Sequence, residues 1–159
     1  MQTKQRFTTK TGWKIALKKQ LWLFTIGGAV YYLLELFWKG NSHWSMFVVG
    51  GICFRAIGMV RMFFSRINVL WQCLICGTLI TAVEFFSGCF INLRLHLSVW
   101  DYSALPMNLL GQICLPFTMI WAALSFFGLQ ADRILNKKFS MSKTKPQMII
   151  HELSKIRLH

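Results

Sequence analysis

The sequence predicts an all-α integral membrane protein with four transmembrane helices. Both ends lie on the cytoplasmic side, and a re-entrant or surface-lying outer segment sits between the third and fourth helices. Three observations predict this. The 159-residue chain is 55% hydrophobic and 14% charged, with a mean hydropathy of +0.46, which leaves too little polar surface to cover a soluble domain. Its charge is strongly basic, 18 Lys+Arg against 5 Asp+Glu, yet those charges gather at the two ends and in short gaps. Between them lie four apolar runs near the ~20 residues that a helix needs to cross ~30 Å of hydrocarbon.

The first run extends from about Leu21 to Trp38 and the second from about Trp44 to Phe64. The third extends from about Val69 to Asn92, long enough to tilt, and the fourth from about Leu109 to Leu129. The first run ends on Glu35, Trp38 and Lys39, not on a small-residue cleavage site, so it reads as a retained helix and not a signal peptide. Orientation follows from the basic residues. Lys4, Arg6, Lys10, Lys14, Lys18 and Lys19 precede the first run, and Arg133, Lys137, Lys138, Lys143, Lys145, Lys155 and Arg157 follow the fourth. Arg61 and Arg66 flank the gap between the second and third runs, while the other two gaps carry one cation each, Lys39 and Arg94. The positive-inside bias therefore puts both termini and the middle gap in the cytoplasm, as an even number of spans requires. Trp22, Trp38, Trp44, Trp71 and Trp100 fall near span ends and suit an interfacial belt, whereas Trp121 falls inside the fourth span and reads as a packed or lipid-facing residue.

Three regions follow: a basic juxtamembrane segment over 1–20, a four-helix transmembrane domain over 21–130, and a basic amphipathic tail over 131–159. Trp13, Ala16 and Leu17 share a helical face flanked by lysines, and residues 147–158 mix Met148, Ile149, Leu153 and Ile156 with basic residues behind Pro146. Both tails suit the surface of an anionic leaflet, so membrane lipids are expected partners and nucleic acid is not.

Ionisable residues inside a span cost at least about 2.5–3.5 kcal/mol at its centre, so each needs a partner or a wet cavity. Glu35, Arg55 and Glu84 are the three clear cases. At about 1.5 Å per residue, Glu35 and Glu84 fall in the outer third and Arg55 about halfway down. The spacing thus predicts a polar centre of Arg55 with Glu84 and Glu35, opening outward, either a structural ion pair or a substrate or ion site. Gly77, Thr81, Glu84 and Gly88 share one face of the third span, and Gly51, Arg55 and Gly58 share one face of the second. Such small-residue faces let helices approach closely and turn the charges toward the bundle interior.

The outer gap over 93–108 is too apolar for a freely solvated loop, so it is expected to pack over the bundle. Within it, Trp100, Asp101 and Asn108 are candidate binding residues, as is His43 in the other outer gap, and Asp101 serves equally well as a turn cap. The five cysteines, Cys53, Cys73, Cys76, Cys89 and Cys114, fall in apolar runs without His or acidic partners, and read as packing residues. His151-Glu152 lacks a second His at zinc-protease spacing. No metal, cofactor or catalytic set is predicted, and the chain reads as more a non-enzyme than an enzyme.

The string Trp100-Asp101-Tyr102-Ser103, with Pro106, Asn108, Gly111, Ile113-Cys114-Leu115 and Trp121, forms a recognisable pattern with two others. These are His43-Trp44-Ser45-Met46-Phe47 before Gly50-Gly51, and Glu84-Phe85 before Gly88. Together, over about residues 25–130, they resemble the bacterial ABC-transporter permease family of the CmpB type. The resemblance implies a transport component at the cell membrane that works with a separate ATPase. The chain has no P-loop, so any ATP would be hydrolysed elsewhere, and one four-helix chain implies a homo-oligomer or a membrane partner. Two other readings stay open: a membrane enzyme acting on a lipid or lipid-linked substrate at the outer leaflet, and a non-catalytic sensor or assembly partner.

Overall fold

The computed structural model describes the backbone of residues 2–156 and the side chains of residues 16–139 except Trp38. The amphipathic faces expected around Trp13 and over 147–158 lie outside the described side chains. Four α-helices make up most of the chain: α1 (Gln2–Lys39), α2 (Trp44–Phe63), α3 (Val69–Gly88) and α4 (Leu115–Ile156). A π-helical turn, Cys89–Arg94, extends α3, and a short antiparallel hairpin of β1 (Asn108–Leu109) and β2 (Ile113–Cys114) leads into α4.

Local chemistry sets the helix ends. Gly40 follows α1 with a positive φ of 73°, a conformation glycine adopts without a Cβ penalty, and its amide bonds back to the Leu36 carbonyl at 2.9 Å. His43 caps α2, its Nδ1 accepting from the Ser45 amide at 3.3 Å. Asn68 caps α3, its Oδ1 accepting from the Leu70 amide at 3.1 Å. With only residues 40–43 and 64–68 between them, α1, α2 and α3 run alternately up and down. The molecule thus has a tail end, where α1 starts and α4 finishes, and a cap end, where residues 95–114 lie.

Among the described residues, three helices are long and apolar enough to cross a membrane: Ala16–Phe37 within α1, Trp44–Phe63, and Val69–Arg94 through the π-helical turn. Helix α4 is not among them, since its described part carries Thr118, Ser125, Gln130, Asp132 and Arg133. It also begins at Leu115 and not at the expected Leu109, because Leu109–Cys114 is used by the hairpin. At 38 and 42 residues, α1 and α4 are about 57 and 63 Å long, at about 1.5 Å per residue. Each runs unbroken through the expected region boundary, at 20/21 in α1 and 130/131 in α4, so those boundaries are changes of composition along one helix.

Packing orders the bundle around α2. Antiparallel α1 and α2 approach closely because Gly27 faces Phe54 and Gly50 faces Tyr31, and a Cβ on either glycine would overlap those rings. Antiparallel α3 and α4 meet where Gly77 faces Ala122 and the Thr81 hydroxyl donates to Thr118 at 2.9 Å. Helix α2 runs parallel to α4, with Ile57 against Gly128 and Arg61 against Asp132. Met46, Val49, Cys53, Ile57, Cys76 and Ile80 form the core between these helices. Helices α1 and α4 touch only slightly, which leaves a seam along one side of the bundle.

Candidate functional site

At the cap end, the α3 face expected from Gly77, Thr81, Glu84 and Gly88 is the face that packs on α4 and the cap. Glu84 is 3% exposed. Trp121, nearly two turns inside α4, donates its indole N–H to Glu84 Oε2 at 2.7 Å. The Tyr102 hydroxyl approaches the same carboxyl from the cap. Burial, then the Glu84 charge, pushes that phenol well above its usual pKa, so it stays a protonated donor at physiological pH. Glu84 belongs to neither of the salt bridges among the described residues.

Aromatic rings line up beside this carboxyl. Tyr102 stacks on Phe117 at 4.6 Å, Phe117 leans on Trp121 at 6.3 Å, and Trp121 stacks on Tyr31 of α1 at 5.7 Å. Beyond the Tyr31–Trp121 pair, the α1–α4 seam opens into a cavity of about 280 Å³. Its walls are apolar: Val30 and Leu34 from α1, Phe54 from α2, and Leu124, Phe127 and Leu135 from α4. Tyr31 and Trp121 therefore stand between the cavity and Glu84.

The cap itself is held by buried neutral polar groups. Asn92, in the π-helical turn, donates to the Trp100 carbonyl at 3.0 Å and to Gln112 Oε1 at 2.9 Å, and accepts from the Val99 amide at 2.8 Å. The Trp100 indole donates to the Gln112 carbonyl at 3.0 Å and its ring packs over Gly88. Asp101 is exposed and accepts from the Ser103 amide at 2.8 Å and from its hydroxyl, an Asx turn. Those two bonds, hydroxyl first, hold its carboxyl below the usual range. Exposed Asn108 donates to the carbonyls of Ser103 and Leu105 at 3.1 and 2.8 Å. The candidates Trp100, Asp101 and Asn108 thus sit in the cap and fold it, with Tyr102 alone reaching down to Glu84.

Glu35 stays near enough for its charge and that of Lys39 to act on Glu84, while the other candidates separate. Glu35 pairs with Lys39 at 2.8 Å and accepts from Ser42 at 2.7 Å, at the α1–α2 turn. His43 is committed to capping α2. Arg55, expected to rise toward Glu84 and Glu35, turns toward the tail end instead, where its electrostatic partner is Asp132. Arg55 Nη1 and Asp132 Oδ1 both lie beside Gly58 without closing to a salt bridge, and Oδ1 is buried with no hydrogen-bond partner among the described residues. Asp132 is fully buried, and Arg61 donates to its Oδ2 at 2.5 Å. The expected single charged centre therefore divides: Glu84 at the cap end with the Glu35–Lys39 pair near it, and Asp132 with Arg61 and Arg55 at the tail end.

Sequence reasoning missed Asp132, Tyr31 and Tyr102 as members of these centres and read Trp121 as packing. A signal for Trp121 existed: an indole N–H inside a span needs an acceptor, and Glu84 was the acid at matching depth.

Among known proteins, a family model described as "putative ABC-transporter type IV" matches residues 22–154. No curated protein and no solved structure matches the chain.

Proposed function

This chain belongs to the family described as putative ABC-transporter type IV, and on that premise we propose that it is the membrane-embedded part of a transport system whose substrate site centres on Glu84. The observation that carries this reading is the Glu84 carboxyl, buried within the bundle, hydrogen-bonded only to neutral donors, and one aromatic pair away from an apolar cavity. A buried carboxyl with no cation in salt-bridge contact is costly in a core that serves packing alone. A binding site that meets its charge partner from outside accounts for it.

In this reading α4 completes the bundle as a fourth span, its few polar groups turned inward: Thr118 to Thr81, Ser125 to the Trp121 carbonyl, and Asp132 to Arg61. The tail end is cytoplasmic, following the basic residues of 1–20 and 131–159. Glu84 then lies about 22 Å from the cytoplasmic end of α3, in the outer third, beneath the Trp100–Asn108 cap. Only residues 64–68 connect helices on the cytoplasmic side. Contact with a separate ATPase therefore falls to the long tail-end extensions of α1 and α4, or to a further membrane subunit or second copy.

The test is flux through proteoliposomes of the full chain, with any co-purifying ATPase, read on solid-supported membranes against cationic, anionic and neutral solutes. Glu84→Gln is expected to abolish the signal for at least one solute while eluting as wild type in gel filtration. Equal signals for wild type and Glu84→Gln across all the solutes would overturn the reading.

A further inference from the structure

We propose that the α1–α4 cavity and Glu84 together bind a lipophilic organic cation, an amphiphile with a quaternary or protonated nitrogen head and an apolar tail, entering sideways from the membrane. The proposal rests on the reading of Glu84 as the substrate site and names the chemical class that site takes.

Charge selects the head. Glu84 is the buried acid of the cap end that no described salt bridge claims, whereas Glu35 near it is held by Lys39. A cation in contact supplies what the neighbours do not: Trp121 and Tyr102 are neutral donors, and Lys39, whose charge reaches Glu84, is itself bound to Glu35. An anionic head would meet like charge, and a neutral one would leave the carboxylate as it stands.

Aromatic geometry selects a soft, poorly hydrated cation over a metal ion. The ring series Tyr102, Phe117, Trp121, Tyr31 borders the carboxyl, and ring faces attract alkylammonium heads. The described residues contain no group of His, Cys, Asp and Glu able to hold a metal ion.

The cavity selects the tail. Its walls are apolar and its rim residues Val30, Leu34, Leu124 and Phe127 are all exposed, at 52%, 61%, 45% and 68%. In a bilayer those rim residues face acyl chains, so a tail moves from lipid into the cavity without crossing water. The opening lies where α1 and α4 scarcely touch, and the Tyr31–Trp121 stack closes its inner end. Entry of the head swings this pair apart and brings the nitrogen onto the Glu84 carboxylate.

Isothermal titration of the full chain in zwitterionic nanodiscs tests this with three probes of equal tail length: decyltrimethylammonium, decanesulfonate and decanol, each corrected with empty discs. The ammonium is expected to bind saturably, one per chain, and the other two only as they do to empty discs. Glu84→Gln, in which the amide oxygen still accepts from Trp121, is expected to weaken ammonium binding about tenfold or more, as loss of a desolvated charge pair does. Leu124→Trp, which fills the cavity at a distance from the carboxyl, should weaken it similarly while Glu84 stays intact. Equal binding of all three probes, no binding of the ammonium, or binding indifferent to Glu84→Gln overturns the proposal. So does disulfide trapping of Val30→Cys between two copies in every disc, which would show a second chain in the cavity. If flux proves Glu84-dependent but only for anionic or neutral solutes, the transport reading stands and the cation class falls. If the ammonium binds through Glu84 yet no solute moves, the cation site stands and transport falls.

Discussion

The two ends of the bundle each bury a carboxyl, and they treat it in opposite ways. At the tail end Asp132 is fully buried, with Arg61 donating to one oxygen and the Arg55 charge acting on a carboxylate whose other oxygen accepts no hydrogen bond among the described residues. At the cap end Glu84 is nearly as buried but is met by an indole and a phenol, and the charges whose field reaches it, Lys39 and Glu35, are paired with each other. A paired charge stitches α2 to α4 and has its counterion in place. An unpaired one has no counterion bound to it until a cation or a proton arrives. The same residue class thus meets a cation at one end and neutral hydrogen-bond donors at the other, and the difference lies in what the neighbouring helix offers it.

The largest effect should come from breaking the tail-end pair. Asp132→Ala leaves Arg61 and Arg55 facing an empty buried position, and removing one partner of a buried pair costs about 3–5 kcal/mol. Arg61 is 28% exposed, so some of its charge is screened and the expected loss is near about 3 kcal/mol, read as destabilisation in detergent-induced unfolding. Adding Arg61→Met to Asp132→Leu should recover part of it, because an apolar contact replaces the lost pair. An Asp132→Ala protein as stable as wild type would make the tail-end pair a surface ornament and dissolve the contrast.

The cap end should respond less, and locally. Asn92→Leu strips the Val99 amide, the Trp100 carbonyl and the Gln112 side chain of a partner at once. Leaving buried polar groups unsatisfied costs about 1–3 kcal/mol. The loss should appear as faster hydrogen exchange over 95–114 with the α1–α2 interface unchanged. Exchange that rises equally in all four helices would mean that the cap is integral to the bundle.

That split was only half legible in the sequence. The three apolar helices were, because hydropathy acts locally and long apolar runs have few alternatives to a membrane. Glu84 stood out for the same reason. Arg55 did not declare its partner, because a long cationic side chain set midway down a helix can extend toward either end. The choice depends on the parallel register of α2 and α4, Ile57 on Gly128 and Arg61 on Asp132, which is tertiary. Asp132 was hidden by its neighbours: followed by Arg133, Lys137 and Lys138, it looked like part of a solvated basic tail, whereas α4 carries it into the bundle. In the cap, Trp100, Asp101 and Asn108 drew attention as polar and aromatic residues in an apolar loop. Their hydrogen bonds reach Gln112, Ser103 and Leu105 through turns that no periodicity announces.

Smaller still should be the effect on stability of Glu84→Gln. The amide keeps an oxygen for the Trp121 N–H, so a neutral hydrogen bond replaces a charge-assisted one and the change should stay within about 1 kcal/mol of wild type. Near-neutral stability beside lost flux is the signature of a receptor charge, and the opposite of Asp132→Ala. A Glu84→Gln protein that unfolds as readily as Asp132→Ala would show that the cap-end carboxyl is a structural element as well.

Asp101 should give the smallest effect, and it sharpens the contrast from the outside. It is a third carboxyl, fully solvated, whose only partners are the hydroxyl and amide of Ser103. Those bonds favour the ionised form and lower its pKa. A group whose folded pKa is depressed contributes stability that is present above the unfolded value of about 3.9 and is lost as pH falls through the folded value. The turn at Asp101–Ser103 should therefore be unchanged from neutral pH down to about 4 and should loosen only below it. An NMR titration of the Ser103 amide in nanodiscs reads this directly: the expected midpoint lies below that of a free aspartate, and Asp101→Asn, which keeps the turn without titrating, should flatten the curve. A midpoint at or above the free value would mean that Ser103 does not hold the charge. Asp101 would then join Glu84 as a carboxyl of the cap end that still lacks a partner for its charge.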